Sequence, residues 1–235
     1  LHRLIRRQRQ MCIRDRFIAC IVNYYERVCD IIFNESVLNY LMGIRMEMKR
    51  KIIQMMEDNP LIAAINNKRS FEKALTCDSD IIFVLYGDVC SIVDIVDRLK
   101  EAGKIVMVDV DLIDGLATKE TAVDYLKRAT KTDGIISSKS ILLRAANARG
   151  LFTIHRFFLI DSKSYHNLPK QLGTSKADVV EVLPGAMPKV LSWVQDVVDV
   201  PIIASGLVCD KELVMTALQA GAVAISTTNM DVWEI

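Results

Sequence analysis

The chain has 235 residues, 51% hydrophobic and 25% charged, with 30 Lys or Arg against 29 Asp or Glu. That composition is ordinary for a globular protein, supplies one large core, and lies in the size range in which an α/β barrel forms a single domain. No run of about 18 uncharged apolar residues occurs, which excludes a membrane span, and the net charge of +1 withholds the bulk basic signature of a nucleic-acid binder.

The charge is unevenly spread. Residues 1–45 carry eight Arg against four acids, which leaves 22 basic and 25 acidic residues in 46–235, a net of −3. Cys12, Cys20, Cys29, Cys77, Cys90 and Cys209 are scattered without a Cys-x-x-Cys pair, so they read as reduced cytoplasmic thiols that mostly fill the core. His2, His155 and His166 are too few to make a His-rich metal site.

In chain order, LHRLIRRQRQMCIRDR (1–16) has neither the apolar stretch of a signal peptide nor a periodic helix face. Its RRQRQMCIRD run resembles translated sequencing-adapter sequence, which weighs against a basic arm or a transit peptide. Residues 17–45 are apolar enough for a helix, or are an upstream region read through to a misplaced start, with Met46 or Met48 a natural initiation point. The expected organisation is therefore an N-terminal extension over 1–45, non-native or disordered, and one folded domain over 46–235.

From Asn59 onward the pattern becomes short β-branched runs separated by amphipathic segments, the signature of βα repeats around a parallel sheet. The expected strands are 61–65, 81–87, 104–110, 134–138, 151–158, 178–184, 201–206 and 222–228. Helical patterns lie at 70–75, 91–103, 120–130, 140–150, 187–197 and 210–221. Three of these close on Gly103, Gly150 and Gly221, where a left-handed C-cap belongs. Eight units spaced by about 20 to 30 residues predict a single-domain (β/α)8 TIM barrel. An open Rossmann-like sheet loses because no Gly-x-Gly-x-x-Gly follows the first strand.

Barrels of this kind place function in the loops after the strands. Strand seven ends in Ser205-Gly206 and strand eight in Ser226-Thr227-Thr228-Asn229, small residues with free N–H groups that suit a phosphate, although Ser and Thr also cap helices. On strand three, alternation puts Asp109 and Asp111 on one side, able to hold a cation or sugar-type hydroxyls. Glu181 of strand six is expected to point inward and to need a partner, for which Lys139 and Arg156 are candidates, either as a buried register-fixing network or as ligand contacts. Alternation sends His155 to the helix layer, away from Arg156. Pro184-Gly185 and Met187-Pro188 punctuate the loop after strand six, with Pro188 suited to a helix first turn. Trp193 and Trp233 read as packing residues, and no Ser-His-Asp or Cys-His constellation assembles.

The segments NPLIAAI, FVLYGDVC, DVDLIDGL, DGIISSKS, FTIHRFFLIDS, EVLPGAMPK, PIIASGLV and AVAISTTNMDVW occur in this order over roughly 59–233. As an ordered set they resemble the bacterial glycerol uptake operon antiterminator family. The resemblance implies a barrel that senses glycerol-3-phosphate and acts on leader mRNA of glycerol-use genes so that transcription passes a terminator. It implies a regulator and not an enzyme; together with the cysteine and hydropathy readings above, the expectation is a cytoplasmic protein with no cofactor, no membrane association, and homo-oligomerisation left open. Carried over residue by residue, the strand-three acids fall on Asp111 and Asp114, the strand-four lysine on Lys139, the strand-five arginine on Arg156 and the strand-six acid on Glu181. The phosphate-side residues fall on Ser205, Gly206, Ser226 and Thr227, and Gly185 completes the expected ligand-binding set.

Two departures stand out. Asp109 stands where the family commonly has His, and Ser205-Gly206 where it commonly has Gly-Gly. The added acid bears on ligand preference unless a cation neutralises it. For RNA contact, the expected basic patch is Lys127, Arg128 and Lys131 near the end of the 120–130 helical pattern with Arg144 and Arg149 in the next, against the plainer reading of solvated helix faces. The alternative function is a metal-dependent TIM-barrel enzyme acting on a small phosphorylated substrate through Asp109, Asp111 and Glu181.

Overall fold

Parallel strands buried on both faces need nearly continuous apolar, β-branched runs, and the eight runs of that kind form the eight strands of the computed structural model. It describes residue 43 and residues 45–234. The chain divides into two units, 1–48 and 49–235. In the first, the described residues 43 and 45–48 are helical; the expectation of an extension over 1–45 lies almost wholly outside the described residues.

The second unit begins with helix α1 (residues 49–58). The strands follow as β1 (Leu61–Ile65), β2 (Ile81–Val84), β3 (Ile105–Asp109), β4 (Gly134–Ser137), β5 (Phe152–Phe158), β6 (Val179–Leu183), β7 (Ile202–Ser205) and β8 (Ala224–Thr227). Each pairs in parallel with the next, and β8 returns to β1, closing a (β/α)8 TIM barrel. The intervening helices are α2 (Lys68–Ala74), α3 (Ile92–Glu101), α4 (Glu120–Ala129), α5 (Ser140–Ala148), α6 (Ser162–Ser175), α7 (Pro188–Gln195) and α8 (Lys211–Gln219). Pro188 takes the first turn of α7, and Gly103, Gly150 and Gly221 carry φ of 79°, 76° and 99°, the left-handed closures that the sequence predicts.

Helix α6 has no counterpart among the expected helical patterns. Its interior holds Pro169, which removes a ladder donor, and Gly173, both unfavourable to a helix. Two features offset them. Asp161 and Ser164 form a reciprocal capping box at the N-terminus, and Leu168 and Leu172 bury one face.

Alternation divides the strand residues between two cores. Val106, Val108, Val180 and Val182 face outward and pack with helix residues such as Val96, Leu99, Leu126 and Leu143. The inward set includes Ile62, Phe83, Met107 and Phe152, all fully buried, which fill the barrel as layers of side chains. Gly134 is required there because a Cβ would lie 2.6 Å from Met107 Sδ and 2.5 Å from the Phe152 carbonyl. At the N-terminal end of the barrel, Asp133 accepts from Val106 N–H (2.8 Å) and Asp178 from Thr153 N–H (2.9 Å). Each carboxylate thus satisfies a strand donor that lies beyond the ladder, and each also pairs with a lysine, Lys100 and Lys49 respectively.

Candidate functional site

At the opposite end of the barrel, β7 and β8 stop at Ser205 and Thr227, and their loops border a cavity of ≈ 300 Å³ that also reaches Arg156, Ala64 and Leu183. Ser205 and Ser226 are register partners, so the two strand ends are level. Their hydroxyls brace the loops: Ser205 Oγ donates to the Ser226 carbonyl (3.2 Å) and Thr227 Oγ1 donates to the Val208 carbonyl (2.9 Å). Trp233, buried as expected, donates its indole N–H to the Thr227 carbonyl.

The groups left to a ligand are backbone donors. The N–H groups of Gly206, Leu207 and Thr228, all bordering the cavity, make no hydrogen bond among the described residues. Gly206 and Leu207 have φ of 76° and 60° in succession. For leucine this is a strained conformation, and Leu207 is also 76% exposed. Successive N–H groups in such a turn form a concavity suited to an anion. Gly185 serves the same turn from outside: its N–H donates to the Ser205 and Gly206 carbonyls, and a Cβ would lie 2.6 Å from Ser205 N, so only glycine fits.

Arg156 and Glu181 face each other in the β5–β6 register, and alternation aims both inward. Arg156 Nε donates to Glu181 Oε2 (2.7 Å), and Nη1 to Asp109 Oδ2 at the end of β3. Both acids are fully buried, while the arginine side chain keeps 11% exposure at the cavity. Nη2 makes no hydrogen bond among the described residues, so the guanidinium is gripped from below and presents one edge to the cavity. Glu181 Oε1 is buried without a partner. Burial, with Glu181 and Asp111 nearby, outweighs the attraction of Arg156 and raises the Asp109 carboxyl to about 7. Arg156 itself is raised above the ordinary guanidinium value by Glu181 and Asp109 against the opposing effect of burial.

The paired-carboxylate expectation for Asp109 and Asp111 is corrected. The strand stops at Asp109, whose side chain accepts Asp111 N–H (3.0 Å) and turns the chain into a 3-10 turn, Val110–Leu112. Asp111 therefore leaves the strand alternation and accepts hydrogen bonds from Ser137 Oγ, Ser138 N–H and Ser138 Oγ, pinning the β4–α5 loop. Lys139 is exposed and pairs with no acid among the described residues, so Arg156 alone partners Glu181. Asp114 is exposed and joins the β2 and β3 loops through its backbone, with Val89 N–H donating to its carbonyl. Among the described residues, no group of three His, Cys, Asp or Glu side chains is arranged to hold a metal.

His155 lies in the helix layer as alternation predicts, its Nδ1 2.8 Å from Ser175 Oγ of α6, and burial lowers its imidazole to about 4. Two expectations fail for side chains on loops and helix surfaces, where hydrophobicity alone does not decide burial. Cys90 and Cys209 are exposed rather than core filler, and Trp193 is 47% exposed. Within the expected RNA patch, Arg149 is bound by Asp124 and Glu120, and Lys131 by Asp97. Lys127, Arg128 and Arg144 remain exposed. No described helix is long and apolar enough to cross a membrane.

Residues 61–233 match the family model described as glycerol-3-phosphate responsive antiterminator. Over 184 residues the chain is 46% identical to the uncharacterized protein YgcP of Escherichia coli (strain K12), covering 78% of this chain and 96% of that protein. The crystal structure of the glycerol uptake operon antiterminator regulatory protein from Listeria monocytogenes superimposes with a TM-score of 0.72 at 30% identity, covering 74% of this chain and 95% of that one. That of a glycerol uptake operon antiterminator-related protein from Thermotoga maritima gives 0.67 at 35% identity, over 74% and 98%.

Proposed function

The chain belongs to the glycerol-3-phosphate responsive antiterminator family, and from that premise we propose that it is a cytoplasmic regulator that binds glycerol-3-phosphate in the β7–β8 cavity. In response it engages leader mRNA of glycerol-use genes, so that transcription passes a terminator, and it does not turn the ligand over. The observation that carries the ligand half is the meeting, in one cavity, of the unpaired N–H groups of Gly206, Leu207 and Thr228 with the open edge of Arg156. A phosphate dianion satisfies such backbone donors, and a guanidinium adds charge-assisted hydrogen bonds.

In this reading Gly206, Ser226 and Arg156 contact the ligand. Ser205, Thr227 and Gly185 hold the strand-end loops, Glu181 and Asp109 hold the arginine, and Asp111 and Lys139 border the neighbouring β4–α5 loop. The metal-enzyme alternative is not favoured, because the acids it requires are taken up by Arg156 and by Ser137 and Ser138.

The test is chemical unfolding with glycerol-3-phosphate, glycerol or inorganic phosphate. At a hundredfold excess over its dissociation constant, glycerol-3-phosphate is expected to add about 2.7 kcal/mol, with glycerol adding far less. Equal stabilisation by glycerol would remove the phosphate argument. A new product after prolonged incubation of ligand with protein would overturn the regulator reading.

A further inference from the structure

Between Asp133 and Asp178 the chain holds seven Lys or Arg and a single acid, Asp161, in a body otherwise richer in acids than in bases. Asp161 is turned onto its own helix, accepting Ser164 N–H (2.7 Å). Of the seven cations, Arg156 is inside the barrel and Arg149 is neutralised by Asp124. Arg144 on α5 and Lys163, Lys170 and Lys176 on or beside α6 are exposed and form none of the ion pairs among the described residues. Lys163, His166 and Lys170 follow at i, i+3 and i+7, one stripe of α6. Asn147 Nδ2 donates to the Lys176 carbonyl (2.8 Å), tying α5 to the end of α6.

Adjoining this stripe at His166, α6 and α7 enclose a cleft of ≈ 350 Å³ walled by Tyr165, His166, Trp193, Val190 and Ile160, with the α6 cap residue Asp161 at its edge. Tyr165 and Trp193 meet edge to face at 6.4 Å, and Lys189 Nζ lies 5.6 Å over the Trp193 ring. The Tyr165 hydroxyl donates to the Trp193 carbonyl (3.0 Å), which fixes the Tyr165 ring against the α7 backbone. Trp193 at 47% exposure and Ile160 at 83% are costly apolar surface for a free monomer.

A cationic stripe beside an open aromatic cleft has the chemistry of single-stranded nucleic-acid recognition, in which unstacked bases lie on rings and the backbone follows positive charge. We propose that the α5–α6–α7 face is the RNA-binding surface, with the Tyr165–His166–Trp193 cleft receiving an unpaired base and Arg144, Lys163 and Lys170 meeting the flanking phosphates. The inference rests on the RNA reading above and replaces the α4 patch, where Lys131 and Arg149 are already paired. It also gives the ligand a route to the RNA. Strand β5 carries Arg156 to the metabolite cavity and continues directly into Leu159 and Ile160 of the cleft wall, and Leu159 N–H donates to the carbonyl of Leu183, which borders the cavity (2.8 Å).

The experiment measures binding of the full chain to a fluorescein-labelled RNA that carries a terminator-type hairpin with single-stranded flanks, with glycerol-3-phosphate present, over a series of salt concentrations. The variants are Trp193→Ala, the triple Arg144→Gln/Lys163→Gln/Lys170→Gln, and, as a control face, Lys127→Gln/Arg128→Gln. Trp193→Ala is expected to weaken binding at least about fivefold, as removal of a stacking ring does. The triple variant is expected to flatten the dependence of log affinity on log salt by about 0.7 for each phosphate that is no longer neutralised. All variants should retain stabilisation by glycerol-3-phosphate, which reports a folded barrel. Wild-type binding that persists in both cleft and stripe variants but falls in the α4 control would overturn the surface while leaving RNA binding intact. No wild-type binding at low salt would overturn the RNA reading itself, and a duplex bound as well as the flanked hairpin would overturn the stacking cleft.

Discussion

Arg156 Nε donates to Glu181 Oε2 at 2.7 Å from the directly facing position on the adjacent strand, with Asp109 closing on the same guanidinium. Three ionisable groups thus share the end of the barrel core, two of them acids without solvent access. Removing the cation strands both acids. Arg156→Ala is expected to cost about 3–5 kcal/mol of unfolding free energy, the range found when one member of a buried ionic network is deleted. Urea denaturation checks this, and a drop below about 1 kcal/mol would mean that water or a shifted side chain takes over the arginine's role.

The Asp109 carboxyl, raised from 3.8 to about 7, gives a pH dependence of definite sign. Between about pH 4 and 7 the folded state keeps a proton that the unfolded chain has lost, so this group lowers stability as pH rises through that window. His155, lowered from 6.5 to about 4, acts in the opposite direction. The unfolded chain takes up a proton first as pH falls below 6.5, so the stability that His155 contributes is present above 6.5 and lost towards 4. The wild type is expected to be nearly flat from pH 4.5 to 6.5 and to decline towards pH 7.5, whereas Asp109→Asn should rise with pH up to about 6.5 and then level off. Identical profiles for the two proteins would show that Asp109 is ionised throughout.

Gly134→Ala is expected to destabilise the barrel by about 1–3 kcal/mol, the usual cost of overpacking, because the added Cβ falls on Met107 Sδ and the Phe152 carbonyl. Pairing it with Met107→Ala, which removes the obstructing sulfur, should recover part of that stability. Purely additive effects in thermal unfolding would locate the cost in the backbone contact with Phe152.

Asp178→Ala removes the acceptor of Thr153 N–H, of Thr153 Oγ1 and of the Lys49 ion pair at the far end of the barrel. The expected cost is about 1–3 kcal/mol, that of leaving a buried donor unmet. Affinity for glycerol-3-phosphate, measured by calorimetry on the folded variant, should be unchanged because the cavity lies at the opposite strand ends. A matching decrease in affinity would show that the two ends are coupled.

The strand runs, their spacing and the closing glycines were legible in the sequence because β-branched apolar periodicity and left-handed closures are local properties. The inward set of Glu181 and the outward set of His155 followed from alternation, which holds as long as a strand continues, whereas the choice of Arg156 over Lys139 as the partner of Glu181 did not. It ceased to hold at Asp109, where a carboxylate captured the Asp111 N–H and ended the strand. Helix α6 was hidden because Pro169 and Gly173 mask a helix that its capping box and packing stabilise. Which cations are already paired, and which aromatic rings stand open, depended on side chains about 25 residues or more apart in sequence: Arg149 meets Asp124, and Tyr165 meets Trp193. Such relations arise only when neighbouring βα units pack side by side. The sequence therefore determined the barrel and the strand ends that border the cavity, and the tertiary structure alone decided that Arg156 is gripped by two acids and that the open cationic face lies on α5 and α6.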